Sequence, residues 1–329
     1  MMALKVMNPG LFTTVQDMGR YGHQAEGFSP AGAMDWRAMM LANRLLGNDE
    51  GAAVLEMTLH GASFEVTKDV TIATAGAEMP VAVDGREMKT ATVMPLMKGE
   101  QISFGGAERG ARTYLAVAGG FTVPEVFGSA STHTRSGIGG FGGRTLESGD
   151  RLKAAGGNGA SGTGRIRVFD DGDDVIRVIP GQQYDRFKEN LDTFYGSGYR
   201  LTKDCDRMGF RLDGEVIEAA GGHDVLSEPT QLGSIQIPKN GKPIILLNDR
   251  QTAGGYARIA TVALCDIPKL VQKRQGDTIR FEEIGVDRAA ELYKAEIGKI
   301  RSDEYFEIDN DFKSHRRPLA GKIESIMKR

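Results

Sequence analysis

The sequence predicts a mainly β fold with a few short helices, and three observations support this class. Glycine accounts for 44 of the 329 residues, and only 7% of the residues are aromatic. Short β-branched runs are separated by turn residues, which is typical of strands in β-rich proteins. The length fits two domains of ordinary size. We therefore expect two β-rich domains.

Strands are predicted where apolar and β-branched residues alternate or run together between turn residues. Asp84-Gly85 is a turn signal that predicts a hairpin between residues 81–83 and the apolar stretch around Val93. The other predicted strands cover residues 71–75, 101–104, 112–117, 176–179, 244–247, 258–264 and 278–281.

Three helices are predicted from capping residues and apolar spacing. The first covers residues 36–46, with Asp35 as its N-cap and Gly47-Asn48 at its end. The second covers residues 267–274, with Asp266 as its cap and Pro268 in the first turn. The third covers residues 286–300 and is expected to pack on the outside of the protein.

The domain boundary is predicted within residues 154–164, an Ala-, Gly- and Ser-rich segment with the composition of a flexible linker. The N-terminal domain then covers residues 1–155, and the C-terminal domain covers residues 156–329 with a helical tail after residue 286. A weak internal similarity links residues 97–104 to residues 274–281, because each has a Gly and an acid followed by an alternating strand that ends in Phe.

Composition argues against several classes of function. The 41 Lys and Arg residues nearly balance the 44 Asp and Glu residues, which gives no basic field for nucleic acid or an anionic membrane. Only Cys205 and Cys265 are present, so a secreted disulfide framework is excluded and a reducing cytoplasm suits the chain. No run approaches the roughly 20 apolar residues of a membrane helix. We expect a soluble cytoplasmic protein.

Common catalytic motifs are missing from the sequence. The five histidines are scattered without metal-ligand spacing, so a protein-bound metal is not expected, and no Gly-x-Ser-x-Gly elbow or phosphate-binding P-loop occurs. Two segments match Gly-x-Gly-x-x-Gly. The match at residues 157–162 lies in the linker and is a chance match, because no strand and helix flank it. The match at residues 137–142 lies between Arg135 and Arg144, and two interpretations stay open: an anion-binding nest or a plain mobile loop.

The strongest local signal is a polar cluster at the end of an apolar strand. Residues 244–247 are apolar, and Asn248, Asp249, Arg250 and Gln251 follow them directly, with paired glycines and Tyr256 beyond. Glycines let the backbone approach a small ligand, so this stretch predicts one wall of a ligand site. Similar Asp and Arg pairs beside glycines occur at residues 17–20 and 206–209. One such pair alone is more typical of an ion pair that closes a turn.

Several segments, taken in order, carry a family resemblance. They include Ala31-Gly-Ala-Met-Asp35, Asp206-Arg-Met-Gly209 and Asp249-Arg-Gln-Thr252, together with residues 8–20, 42–43, 55–56, 114–120 and 128–132. Over about residues 4–285 the chain resembles the biotin-dependent carboxyltransferase family, which is also described as allophanate hydrolase subunit 2. Ala31, Cys205 and Ala253 depart from the family pattern, and each departure removes a hydroxyl group.

The resemblance implies two tandem cyclophilin-like β-barrel domains and a role in an ATP-dependent complex that opens 5-oxoproline to glutamate. It implies two partner chains, one KipI-like and one of the LamB/YcsF type, with ATP as the co-substrate of the complex. Two alternatives stay open: a regulatory antagonist that binds a KipI-like kinase inhibitor, and a carboxyltransferase served by a separate biotin carrier. This chain has no Met-Lys-Met biotin acceptor, so biotin attached to it is not expected.

The resemblance and the polar clusters together give the predicted site. Arg207 and Arg250 would hold the substrate carboxylate or the developing charge, and Asp249 or Asp206 would orient the attacking water or the ring N–H. Gln16, Asn43 and Gln251 would fix the amide. The predicted substrate-binding residues are Gln16, Asp17, Arg20, Asp35, Asn43, Glu56, Arg135, Arg144, Ser227, Glu228, Gln236, Gln251, Thr252 and Tyr256.

Overall fold

Strands dominate the regular structure of the chain. The computed structural model describes residues 2–156, 164–166, 173–302 and 304–308. The strands of the first half are β1 (Met2–Asn8), β2 (Phe12–Gln16), β3 (Val54–Thr58), β4 (Ser63–Val66), β5 (Val70–Glu78), β6 (Val81–Val83), β7 (Arg86–Met88), β8 (Val93–Leu96), β9 (Gln101–Phe104), β10 (Arg109–Val117), β11 (Phe121–Thr122) and β12 (Arg151–Ala154). Those of the second half are β13 (Gly164–Ile166), β14 (Val175–Pro180), β15 (Tyr199–Cys205), β16 (Gly209–Asp213), β17 (Asp224–Pro229), β18 (Ser234–Gln236), β19 (Ile244–Leu246), β20 (Ala253–Tyr256), β21 (Arg258–Val262), β22 (Thr278–Glu283) and β23 (Phe306–Ile308).

The first half consists of two sheets around one core. A seven-stranded sheet has the order β11-β12-β1-β4-β9-β6-β7, and a five-stranded sheet has the order β2-β3-β10-β5-β8. Alternate residues point inward, as for Ile102 and Phe104 on β9, and they meet Leu55 and Leu115 of the other sheet. The strands of this half therefore divide between two sheets rather than closing one hydrogen-bonded barrel.

The second half contains a closed barrel with the strand order β14-β21-β18-β19-β16-β15-β22. Parallel pairing between β14 and β22 closes the ring. Two further strand pairs lie outside the barrel, β17 with β20 and β13 with β23. The predicted mainly β class with few short helices is confirmed.

The helices are few, as predicted: α1 (Trp36–Leu45), α2 (Leu191–Gly196), α3 (Ile267–Val271) and α4 (Val286–Arg301), with 3-10 turns at Gln24–Glu26, Thr134–Ser136, Tyr184–Asn190 and Leu264–Asp266. Helix α1 and its cap are confirmed, because the Asp35 carboxylate accepts a hydrogen bond from the Ala38 N–H at 2.9 Å. None of these helices is long and apolar enough to span a membrane.

The second predicted helix begins at Ile267 with Pro268 in its first turn, as predicted, but its end and its cap are wrong. Helix α3 stops at Val271 instead of residue 274, and Asp266 gives it no side-chain cap. The Asp266 carboxylate accepts hydrogen bonds from the Nε of Arg177, at 3.0 and 3.1 Å, and so joins α3 to β14. The Asp266 carboxylate therefore forms a long-range ion pair with Arg177 instead of the predicted helix cap.

Helix α4 joins the C-terminal region to the first half of the chain. Tyr293 packs edge-on against Trp36 of α1, with 5.4 Å between ring centroids. Glu296 pairs with Arg37 at 3.5 Å, and Ile300 is buried. The helix lies outside the barrel, as expected, but its inner face packs on α1.

The Asp84-Gly85 turn is confirmed, whereas the predicted second strand of its hairpin is wrong. Both turn residues have positive φ, 48° and 75°, as a two-residue hairpin turn requires. A turn this short leads directly into Arg86–Met88, which pairs with Val81–Val83. Residues 93–96 pair with β5 of the other sheet.

The internal similarity corresponds to the same turn in both halves. The Glu100 carboxylate accepts from the Met97 N–H at 2.9 Å, and the Asp277 carboxylate accepts from the Arg274 N–H at 2.7 Å. The glycine before each acid has a positive φ, 93° and 91°. Residues 157–163, which hold most of the predicted linker and its glycine match, lie outside the described residues. The domain boundary stays a prediction.

Candidate functional site

A buried polar network joins the two halves of the chain. Arg207 lies in the turn between β15 and β16, and its Nε and Nη2 donate to the Asp249 carboxylate at 3.0 and 2.9 Å. Its Nη1 donates to Glu56 on β3, and its Nη2 also donates to the Gly32 carbonyl at 2.7 Å. Burial opposes the charge of Arg207, but Asp249 and Glu56 raise its pKa above the ordinary value.

The network continues through the first half to helix α3. The second carboxylate oxygen of Glu56 accepts from the Tyr114 hydroxyl at 2.7 Å. The Tyr114 oxygen accepts from the Asp35 N–H at 2.7 Å, and the Asp35 carboxylate accepts from the Gln272 side chain at 2.8 Å. Burial, followed by the charges of Glu56 and Asp35, raises the pKa of Tyr114.

Four predicted site residues, Asp35, Glu56, Arg207 and Asp249, are thus placed in a network that holds the halves together. All three guanidinium nitrogens of Arg207 donate to partners in this network. Arg207 was predicted to hold a substrate carboxylate, but its nitrogens are already occupied. Tyr114 and Gln272 are members that sequence reasoning missed. Tyr114 lies in one of the segments that carry the family resemblance, whereas Gln272 follows a short helix and gave no signal.

A polar cleft of about 410 Å³ opens on the barrel surface next to this network. Four other predicted site residues line it: Arg135, Asp206, Gln236 and Gln251. The cleft is also lined by Lys203, Asp204, Cys205, Met208, Gly209, Arg211, Ile244 and Leu246. Lys203 and Arg211 were missed, although they flank the Asp206-Arg207 turn.

Two side-chain amides that line the cleft lie near Gly254. A Cβ placed on Gly254 would lie 3.5 Å from Nε2 of Gln251 and 3.7 Å from Oε1 of Gln236. Neither amide has a hydrogen-bond partner in the part of the chain that the structure describes. Because a primary amide both donates and accepts, the pair can bind the N–H and C=O of an amide ligand.

The remaining cleft residues supply charge and shape. One carboxylate oxygen of Asp206 accepts from the Met208 and Gly209 N–H groups at 2.8 and 3.2 Å, so Asp206 closes the β15–β16 turn. Lys203 and Arg211 have no ion-pair partner among the described residues. Burial raises the pKa of the Cys205 thiol, which stays protonated at neutral pH. Cys205 stands where the family pattern has a serine, so this difference from the family lies in the cleft wall.

The Asp17 carboxylate joins two segments of the first half, the turn after β2 and residues 129–131. It accepts from the Gly19 N–H at 2.8 Å, the Ser129 hydroxyl at 2.7 Å, the Ala130 N–H at 2.6 Å and the Ser131 hydroxyl at 2.5 Å. These bonds use both carboxylate oxygens. Asp17 thus holds Gly19 and residues 129–131 together.

Replacing Asp17 with alanine is expected to lower the free energy of unfolding by about 3 kcal/mol, because four donors lose a charged acceptor. Chemical denaturation measures the change. Asp49→Ala is the matched control, since Asp49 is exposed and accepts one bond, from the Gly51 N–H at 3.1 Å. Equal losses in the two variants would contradict the role of Asp17.

Two neighbours of Asp17 support the same region. Gln16 donates to the Thr132 carbonyl at 3.1 Å. Arg20 donates to the Ser131 carbonyl, and its Nη1 is buried without a partner in the described residues. Burial lowers the pKa of Arg20, while the charges of Asp17 and Asp249 oppose the shift.

The glycine-rich loop uses some of its amides internally. Gly140 donates to the Ala130 carbonyl at 3.0 Å, and Gly143 donates to the Gly139 carbonyl at 2.7 Å. Arg144 pairs with both oxygens of Asp150 at 2.8 and 2.9 Å. These contacts occupy two of the backbone N–H groups of the loop, and the choice between an anion-binding nest and a plain mobile loop stays open.

The other predicted residues lie apart from the cleft lining. Ser227, Glu228 and Tyr256 lie on the β17–β20 pair, where Glu228 pairs with Arg258. The Thr252 carbonyl accepts from Thr230 at 3.0 Å. Asn43 closes the turn after α1 through the Ala52 carbonyl, at 2.8 Å. Arg250 is buried one residue from the cleft wall. The structure therefore divides the predicted residues among several places rather than one cleft.

Metal ligands are not grouped in this structure. Across the described ranges, no cluster of three or more His, Cys, Asp or Glu side chains could hold a metal ion.

The chain is thus a β-rich protein that combines a closed barrel, a pair of sheets and a polar cleft on the barrel surface. Residues 26–283 match the model of the carboxyltransferase domain, subdomain A and B. The chain belongs to this carboxyltransferase domain family.

Two bacterial relatives match nearly the whole chain. The 5-oxoprolinase C subunit of Escherichia coli is 37% identical over 308 residues, which cover 92% of this chain and 96% of the relative. The protein of the same name from Haemophilus influenzae is 36% identical, over 85% of this chain and 90% of the relative. Among solved structures, the K. lactis urea amidolyase matches 93% of this chain with a TM-score of 0.84 and 27% identity. This chain spans 21% of that longer protein.

Proposed function

We propose that the protein is the C subunit of an ATP-dependent 5-oxoprolinase, a complex that opens 5-oxoproline to glutamate. The observation that carries the proposal is the 37% identity to the E. coli C subunit over nearly the full length of both chains. The cleft fits the proposal, because Gln236 and Gln251 present free amides to a ligand that is itself a cyclic amide.

The chemistry explains why ATP is needed. The lactam is resonance-stabilised, and transfer of a phosphoryl group from ATP to its oxygen activates the ring carbon. One water adds at that carbon, the C–N bond breaks with a proton going to nitrogen, and a second water releases phosphate from the resulting acyl phosphate. In the cleft, the two glutamines would orient the amide, and Lys203 and Arg211 would stabilise negative charge. Asp206 would orient the water.

The proposal includes two partner chains in the cytoplasm, a KipI-like one and a LamB/YcsF-type one, which correspond to the B and A subunits of such a complex. ATP is a co-substrate of the whole complex. Biotin attached to this chain has no part in the proposal, because residues 87–90, Glu-Met-Lys-Thr, differ from the Met-Lys-Met acceptor.

The test is reconstitution. The chain is purified with and without its KipI-like and LamB/YcsF-type partners, and glutamate formation from 5-oxoproline is followed with and without ATP. We expect turnover only when all three chains and ATP are present. A complete assembled complex that forms no glutamate would rule the proposal out.

A second candidate is carboxyl transfer with a separate biotin carrier. The observation that favours it is the match to the yeast urea amidolyases, such as the 28% identity to the Saccharomyces cerevisiae enzyme over 91% of this chain. This chain covers only 18% of that protein. Activity that depends on a biotinylated carrier and bicarbonate, and not on the two partner chains, would select this candidate.

A further inference from the structure

Arg250 is a buried cation without a carboxylate partner in the described part of the chain. Arg250 is 5% exposed, and among the described residues its side chain forms one hydrogen bond, from Nη1 to the Leu247 carbonyl at 3.3 Å. Its Nε is buried without a partner in the described residues, and no ion pair involves it there. Two nitrogens on one edge of the guanidinium, Nε and Nη2, therefore have no acceptor in this structure.

Arg112 resembles Arg250 in having a buried Nε without a partner among the described residues, but it lies within electrostatic range of Glu56 and Asp35. The remaining buried arginines have carboxylates nearby. Arg207 has two carboxylates, and Arg258 has Glu228. Arg20 lies within electrostatic range of Asp17 and Asp249. Around Arg250, burial lowers the pKa to about 10, and the charge effect that opposes this shift comes from the Tyr21 phenol. A phenol is neutral near pH 7, so Arg250 has no anionic partner among the described residues.

An uncompensated buried charge destabilises the fold that contains it. Strained or unsatisfied groups are found most often at ligand sites. There the bound ligand supplies the partner that the protein itself lacks. The guanidinium edge formed by Nε and Nη2 matches the two oxygens of a carboxylate in a bidentate arrangement. The missing partner is thus expected to be planar and anionic.

The segments around Arg250 include the cleft wall and an exposed loop. Its backbone is fixed, because its carbonyl accepts from the Ser29 hydroxyl and its N–H donates to the Leu247 carbonyl at 3.1 Å. Residues 19–29 cross this region, and Tyr21 on that segment is 64% exposed. The next residue, Gln251, lines the cleft. Arg250 is therefore close to both the cleft wall and an exposed loop.

We infer that Arg250 is the anchor of a carboxylate-binding site next to the cleft. The inference rests on the proposed function in one respect: 5-oxoproline carries a carboxylate on the ring carbon beside its amide nitrogen. The same chemistry could come from an Asp or Glu side chain of a partner protein. Arg250 then recognises the carboxylate, and the cleft glutamines recognise the amide.

The test compares Arg250→Met with Arg207→Met in the full chain. Binding of 5-oxoproline and of 2-pyrrolidinone, the same ring without the carboxylate, is measured by calorimetry. We expect the unaltered chain to bind 5-oxoproline in preference to 2-pyrrolidinone, and Arg250→Met to weaken 5-oxoproline binding about 100-fold. Arg250→Lys keeps the charge but loses the two-point geometry, so we expect an intermediate affinity.

Thermal unfolding of the free chain gives a second readout. Since Arg250→Met removes a buried charge without an anionic partner among the described residues, we expect a Tm equal to or above that of the unaltered chain, whereas Arg207→Met lowers it. If the isolated chain binds neither ring compound, the same variant is tested for assembly with the KipI-like and LamB/YcsF-type partners. An assembly affinity that falls at least roughly 30-fold assigns the carboxylate to a partner.

Two results would overturn the inference. One is an Arg250→Met chain that loses as much thermal stability as Arg207→Met, which would make Arg250 an ordinary structural group. The other is an Arg250→Met chain with unchanged ligand binding and unchanged assembly. Both readouts are independent of turnover, so a complex without 5-oxoprolinase activity would remove the proposed function and leave the carboxylate site intact.

Discussion

Replacing Arg207 with methionine lowers the free energy of unfolding by about 3–5 kcal/mol, because it leaves two buried carboxylates without their cation. These are Glu56 from the first half of the chain and Asp249 from the second. Chemical denaturation measures the loss, and Tm is expected to fall by roughly 6–20 °C.

The matched control is Arg211→Met on the neighbouring strand β16. Arg211 is exposed and has no ion pair among the described residues, so its replacement should change stability by no more than about 0.5 kcal/mol. The triple variant Arg207→Met, Glu56→Gln, Asp249→Asn removes the stranded charges. We expect it to recover part of the loss, and a triple variant as unstable as Arg207→Met would show that ionic pairing is not the cause.

Replacing either cleft glutamine with leucine is expected to reduce kcat/KM for 5-oxoproline by about 10- to 100-fold in the reconstituted complex. Gln236→Leu and Gln251→Leu each remove a donor and an acceptor, and an unpaired polar group on the bound ligand costs about 1–3 kcal/mol. Neither amide has a partner within the described residues, so Tm should stay near that of the unaltered complex.

Gln101→Leu is the control for these variants, since Gln101 is an exposed residue on β9 of the first half. It should change neither kcat/KM nor Tm. If both cleft variants keep full activity in a complex that depends on ATP, the cleft is not where the lactam binds.

Elements that depend on local pattern were predictable from sequence. Helix α1 was predicted because Asp35 caps it through a neighbour three residues away. Strand β9 was predicted to the residue, because its core and solvent positions alternate. Elements that depend on distant partners were not predictable. Asp266 matches a helix cap in sequence, but in the fold it pairs with Arg177 of strand β14.

The same limit applies to the candidate site. Arg207 and Arg250 look alike in sequence, since each follows an Asp near glycine residues. In the fold, Arg207 has Glu56 and Asp249 as partners, whereas Arg250 has no carboxylate in the described residues. A pattern shows which residue types are present, but pairing depends on which segments the fold brings together. Sequence therefore indicated the candidate residues without separating the structural ones from those free to bind.

The bond between Arg207 and Glu56 also sets an order of events during synthesis. The two residues are 151 positions apart, so Glu56 leaves the ribosome long before its cation exists. At ordinary rates of translation the delay is about 8–30 s. During that interval the buried Glu56 carboxylate of the nascent first half lacks its ion-pair partner. A pause in translation between these positions would prolong the exposure of this half to chaperones and proteases.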